Sequence, residues 1–216
     1  LAAAEALAMA CYVQARFGDA RWRAHAWVGM WAAFGLAFLI KGPPGLLPLL
    51  AVGAHACLAR GPRIGMAWHG VGLLAFAAIA VPWYAMVVSR HEGLLDYFLG
   101  AEVLDRVASD RFQRNGEWHG WAKIYVPMLL VGTLPWTGAW WRWWRGVVSR
   151  VRAWRDPRER ACDAHRVLLV LWIVLPLLVF CIARSRLPLY VLPLFVPIAL
   201  AVACALPERL PRWPWF

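Results

Sequence analysis

FLIKGPPGLLPLL, Phe38 to Leu50, sets Lys41 and the helix punctuators Gly42, Pro43, Pro44 and Gly45 between two runs of apolar residues. Glycine and proline together stop one helix and let another begin. Nothing soluble flanks the break, so the segment reads as a tight turn between two helices that both lie in hydrocarbon. The rest of the chain agrees. Its 216 residues are 62% hydrophobic and include 16 tryptophans, with a mean hydropathy of +0.54, a balance that water-soluble domains do not show.

A membrane helix needs about 20 apolar residues. Working outward from the turn, seven runs are candidates: Leu1 to Ala15, Ala24 to Ile40, Gly45 to Ala59, Ala67 to Val88, Ala122 to Trp144, Val167 to Ala183 and Leu187 to Leu206. The first and third are short. All are continuous, without the alternation of a membrane barrel. The expected fold is all-α, a polytopic transmembrane helix bundle of about seven spans. Residues 1–216 then form part of a single integral-membrane domain, with an outer loop at 89–121 and a basic cytoplasmic loop at 142–166. No internal repeat is evident.

Of the five cysteines, Cys11, Cys57, Cys181 and Cys204 fall inside these runs and only Cys162 outside, so no disulfide framework is indicated. The chain opens at Leu1 directly into an apolar run, with no basic n-region or cleavage site. That opening points to further sequence upstream.

Charge fixes the orientation. Fifteen of the 23 basic residues lie in alternate connections and the tail, including eight arginines from Arg142 to Arg166. By the positive-inside rule these face the cytoplasm, and the segments holding Lys41, Arg90 to Lys123, and Arg184 with Arg186 face outward. The net charge of +11 is thus a topology signal. A nucleic-acid partner is excluded, because that needs a soluble basic face with interleaved aromatics, whereas these tryptophans cluster at span ends as an interfacial belt. The basic link WWRWWRGVVSRVRAWRDPRER reads as a segment resting on anionic membrane lipids.

Three outward features carry candidate chemistry. Lys41 in KGPPG either snorkels beside a turn or, near a helix start at the outer face, holds a phosphate. Arg184 and Arg186, with Tyr190 close behind, either anchor to headgroups or grip a phosphate with paired donors. The segment from Ser89 to Trp121 is mixed in charge, and Leu94, Leu95, Phe98, Leu99 and Val103 give Gly93 to Ala108 the spacing of an amphipathic surface helix. There Glu102 and Arg106 stand four residues apart on one face. The imidazoles of His91 and His119 lack metal-site spacing and read as solvated loop positions.

Three segments in order, GLAFLIKGPPGLLPLL (Gly35 to Leu50), DYFLGAEVLDRV with RNGEWHGWAKIYVPMLLVGTLPW (Asp96 to Trp136), and RSRLPLYVLPLFVPIAL (Arg184 to Leu200), resemble the polyprenyl-phosphate-dependent membrane glycosyltransferases of the GT-C class. The likeness is to the bacterial relatives of protein O-mannosyltransferases and the lipid A aminoarabinose transferases. PWYAMV (Pro82 to Val87) fits the same pattern, and the likeness covers nearly the whole chain.

The resemblance implies a multi-span enzyme of the bacterial inner membrane whose active site faces the periplasm. It would take a sugar from an undecaprenyl-phosphate-linked donor and pass it to a lipid, glycan or protein acceptor. It implies a catalytic carboxylate in a first outer loop, which has no match here and would lie upstream of Leu1. The matching positions make Lys41, Arg106, Arg186 and Tyr190 the donor-phosphate contacts and Glu102 an acid or metal ligand. Where aminoarabinose transferases commonly carry histidine after that acid, this chain has Val103, which argues against metal ligation there and against aminoarabinose as the sugar. No cofactor is expected beyond a possible divalent metal. Glu5 reads as a helix-entry residue. The rival readings are a lipid or lipid-linked sugar transporter, which predicts paired broken helices in two repeated halves, and a noncatalytic membrane scaffold.

Overall fold

The computed structural model describes residues 1–59, 61–62, 64–91, 117, 119–183 and 186–206. Among these every regular element is helical. The α-helices are α1 (Ala2–Phe17), α2 (Arg23–Lys41), α3 (Leu47–Leu58), α4 (Met66–Arg90), α5 (Gly120–Gly132), α6 (Thr137–Arg150), α7 (Pro157–Cys162), α8 (Ala164–Ile182) and α9 (Phe195–Ala205). Short 3-10 turns occupy Pro43–Leu46, Ala153–Arg155 and Pro188–Leu194.

Among the described residues, four helical stretches are long and apolar enough to cross a membrane: Ala20–Lys41, Met66–Arg90, Ala164–Ile182 and Pro188–Ala205. Pro43–Leu58 and Gly120–Gly132 are apolar but shorter. The chain is therefore a multi-pass membrane protein with four clear crossings against the seven expected. The expected fifth span, Ala122 to Trp144, is not one helix, since α5 ends at Gly132 and α6 begins at Thr137. Pro135 explains the break. It lacks the N–H that would bond one turn back, and it disfavours helical geometry at Leu134.

Much of the basic link, expected as a loop, is also helical. On α6 the buried residues Ala139, Trp143 and Val147 recur every four positions and that helix packs against α9, while Arg142 and Arg145 are exposed. This is an amphipathic surface helix. Its end is tied down by Asp163, which accepts hydrogen bonds from Arg150 Nε and, at 2.9 Å, from Trp154 Nε1. Burial pushes the Asp163 carboxyl up, but the bonds from Trp154 and Arg150 and the charges of Arg150 and Arg166 outweigh it and hold the group below its ordinary value.

α2 lies between α1 and α4, and α3 packs on α8. Gly35 allows the close approach of α2 and α4, since a Cβ there would meet the Phe76 carbonyl oxygen at 3.0 Å. One apolar core links Met9 of α1, Phe34 of α2, Val52 of α3, Trp172 of α8 and Ile198 of α9. The outer side of α4 exposes Leu73, Val81 and Met86, with Leu74 71% exposed, a face suited to lipid. A polar tie crosses the core. His55 Nε2–H donates to the Ala164 carbonyl (3.0 Å), so Nδ1 accepts from the Tyr12 hydroxyl (2.7 Å), joining α1, α3 and α8.

Candidate functional site

The site is built at the end of α2. Gly42 closes the helix with φ 68° and ψ −146°, a conformation essentially confined to glycine. Its N–H donates to Phe38 O at 2.6 Å, and the Tyr84 hydroxyl of α4 donates to the same carbonyl at 3.2 Å. Pro43 then starts the 3-10 turn Pro43–Leu46, and Pro48 sits in the first turn of α3, positions where a missing N–H is harmless. Gly45 is buried, and a Cβ on it would lie 2.5 Å from Ala37 O. The turn is thus folded tightly back on α2, which leaves Lys41 projecting at its rim.

Lys41 Nζ lies 4.8 Å from the centroid of the Tyr190 ring, a cation over an aromatic face. Both residues line a cavity of about 490 Å³ walled by the start of α1, the KGPPG turn, the end of α8 and the 3-10 turn Pro188–Leu194. Its walls are otherwise mostly apolar, among them Pro44, Trp172, Pro176, Phe180 and Leu192. Glu5 of α1 lines the same cavity and is 3% exposed.

The predicted residues divide into three groups. Lys41 and Tyr190 come together although they lie far apart along the chain. Arg186 does not line the cavity. It is buried, and its guanidinium donates to Glu117 O (2.6 Å) and Cys181 O (2.9 Å), strapping the start of the Tyr190 segment to the end of α8. Glu102 and Arg106, the Gly93 to Ala108 helix and Arg184 lie outside the described residues. His119 pairs with Glu117 at 2.9 Å, as does Lys123. Together with the charge on His119, these contacts hold the Glu117 carboxyl below its ordinary value, the Lys123 hydrogen bond contributing most. Among the described residues no three His, Cys, Asp or Glu side chains are grouped to hold a metal ion.

Sequence reading sets Glu5 aside, although an acid inside an apolar run is itself a signal. It also misses Tyr84, which caps α2 from a helix that the sequence does not place beside it.

An apolar cavity with a cation at its mouth suits an amphiphilic anion: an acyl or prenyl chain in the cavity and a phosphate against the ammonium. The fold is thus that of a polytopic helical membrane protein, with an apolar cavity whose lining includes one lysine. Comparison with known proteins narrows this class. An undecaprenyl phosphate-alpha-4-amino-4-deoxy-L-arabinose arabinosyl transferase of Pseudomonas aeruginosa UCBPP-PA14 is 32% identical over 195 residues, covering 89% of this chain and 33% of the relative. One from Pectobacterium carotovorum is 32% identical over 186 residues, covering 85% and 31%. The crystal structure of ArnT from Cupriavidus metallidurans bound to undecaprenyl phosphate superposes with a TM-score of 0.72 at 25% identity, covering 94% of this chain and 35% of that one. No family model matches.

The chain is a homologue of these arabinosyl transferases and shares the GT-C fold, as the ordered segments around KGPPG and RLPLY indicated. It spans about a third of the length of the curated relatives it matches.

Proposed function

We propose that this chain forms the donor-binding part of a membrane glycosyltransferase that moves a sugar from a polyprenyl-phosphate donor to an acceptor hydroxyl or phosphate. One observation carries the reading: Lys41 stands over Tyr190 at the mouth of an apolar cavity, in a fold shared with a protein solved with undecaprenyl phosphate bound. The enzyme sits in the bacterial inner membrane with this site facing the periplasm, and residues 1–216 belong to one integral-membrane domain.

Transfer is a single displacement at the anomeric carbon. A carboxylate takes the acceptor proton. As the glycosidic bond breaks, negative charge grows on the departing phosphate, and the Lys41 ammonium stabilises it by charge and hydrogen bond. The Tyr190 hydroxyl donates a second bond. Arg186, held by the carbonyls of Glu117 and Cys181, fixes the segment that presents Tyr190, and Glu102 and Arg106 of the outer segment complete the donor end.

The test uses the protein from its complete gene in membranes supplied with a labelled polyprenyl-phosphate sugar. Lys41→Ala, Arg186→Ala and Tyr190→Phe each reduce transfer while leaving membrane insertion intact. Normal turnover in all three sinks the donor-site assignment.

A further inference from the structure

The basic link holds charges that sugar transfer leaves unused, and the structure divides its arginines into two sets. Arg150 donates to Asp163 and, at 2.9 Å, to Glu159, while Arg166 stands 3.6 Å from Asp163. Arg160 donates to Trp154 O at 3.0 Å and to Leu58 O, at the end of α3, at 3.1 Å. These guanidiniums are spent inside the fold. Arg142 and Arg145 of α6 and Arg152 just beyond it are exposed, and their side chains make no ion pair or hydrogen bond among the described residues. The neighbouring acids Asp163 and Glu159 are already engaged by Arg150.

The same helix sets these cations beside apolar surface. Helical spacing places Trp141, Arg145, Val148 and Arg152 along one stripe, on which Trp141 is 61% and Val148 59% exposed. Next to that stripe, Trp140 and Trp144 wall a crevice of about 390 Å³ shared with Leu129 of α5, Val174 and Leu178 of α8 and Ile198 of α9. No charged side chain lines it among the described residues. A soluble anion would leave the crevice and Trp141 in water, and a lipid of no net charge would leave the arginines without a counter-charge. A lipid with an anionic head answers both.

We propose that α6 and this crevice bind an anionic phospholipid, its phosphate on Arg145 between Arg142 and Arg152 and one acyl chain between α6 and α8. Guanidinium donors grip phosphate oxygens in pairs, and the exposed indole of Trp141 suits the head-group layer. The link meets the end of α3, whereas the donor cavity lies at its start. This is therefore a second lipid site, and it stands independently of the glycosyl-transfer reading.

The protein from its complete gene is purified in detergent, and native mass spectrometry gives dissociation constants for phosphatidylglycerol and phosphatidylethanolamine of identical acyl chains. Each arginine at an anionic head group contributes roughly fivefold in affinity. The wild type therefore prefers phosphatidylglycerol by roughly 25-fold or more, and Arg142→Gln with Arg145→Gln removes most of that preference. Arg155→Gln with Arg158→Gln takes the same charge from the link beyond α6 and keeps it. Leu178→Trp, at a position 50% exposed, fills the crevice and weakens long-chain phosphatidylglycerol relative to its short-chain counterpart. Each readout is a ratio within one variant, so partial loss of folded protein cancels.

Equal affinity of the wild type for the two head groups overturns the site. Equal loss of preference in the two double variants overturns it as well, by giving the effect to the general charge of the link. An unchanged long-chain to short-chain ratio in Leu178→Trp takes the chain out of the crevice and refutes the proposed geometry. Displacement of bound phosphatidylglycerol by glycerol phosphate assigns the arginines to a soluble anion and is equally fatal. All four outcomes leave the donor-site reading standing.

Discussion

Gly45→Ala is the smallest change that strikes the turn itself. A Cβ at this position lies 2.5 Å from the Ala37 carbonyl oxygen, 2.7 Å from its carbon and 3.1 Å from Phe38 N, all backbone atoms. No side chain can swing away to relieve the overlap. Opening the closest contact from 2.5 to an ordinary 3.4 Å moves the 3-10 turn by about 0.9 Å against α2. Overpacking of this kind costs about 1–3 kcal/mol. A second effect follows from position: Pro44 belongs to the displaced turn, Lys41 lies two residues before that turn, and both line the cavity, where a misplacement of about 1 Å at a reacting centre costs roughly a hundredfold in rate. The assay is thermal unfolding in detergent alongside transfer from a polyprenyl-phosphate donor. Gly53→Ala is the matched control, because a Cβ on Gly53 of α3 would have nothing within 4 Å and alanine is the better helix former. Stability and transfer in Gly45→Ala equal to those of Gly53→Ala would refute the reasoning.

Three further outcomes are expected. His55→Ala removes both bonds of a fully buried ring and leaves a cavity, costing about 3–5 kcal/mol. Tyr12→Phe removes one bond and costs about 1–2 kcal/mol; equal melting temperatures for these two variants contradict the tie across α1, α3 and α8. Asp163, whose folded pKa is lowered, stabilises fully above its ordinary carboxylate value of about 4 and loses that contribution as the pH falls through the folded value. Asp163→Asn is therefore less stable than the wild type at neutral pH, and acidification narrows the gap between them; a gap constant with pH contradicts the Arg150 pairing.

Local punctuation is readable from the sequence. KGPPG announces both its turn and its charge, because glycine and proline act within a few residues and a lysine in an apolar setting has few roles. Charge alternation along the chain gives the expectation that Tyr190 faces outward. What is not readable comes from tertiary contact. The Tyr12–His55–Ala164 tie joins residues 43 and 109 positions apart, and no periodicity encodes it. Glu5 has the look of an ordinary helix-entry acid until α1 is set beside the KGPPG turn and α8. Arg186 suggests a phosphate grip by its type, whereas the fold uses its donors on two carbonyls. The Pro135 break lies in plain view in TLPW but is overridden by the apolar run around it, since hydropathy is blind to a missing N–H.

The central claim is that Lys41 holds the phosphate of a polyprenyl lipid at the mouth of this cavity. Its most direct test is equilibrium binding of undecaprenyl phosphate, without a sugar, to the complete protein and to Lys41→Ala in the same vesicles. A charge-assisted contact predicts saturable binding by the wild type and roughly 10- to 150-fold weaker binding by the variant. Equal affinity in the two proteins contradicts the account.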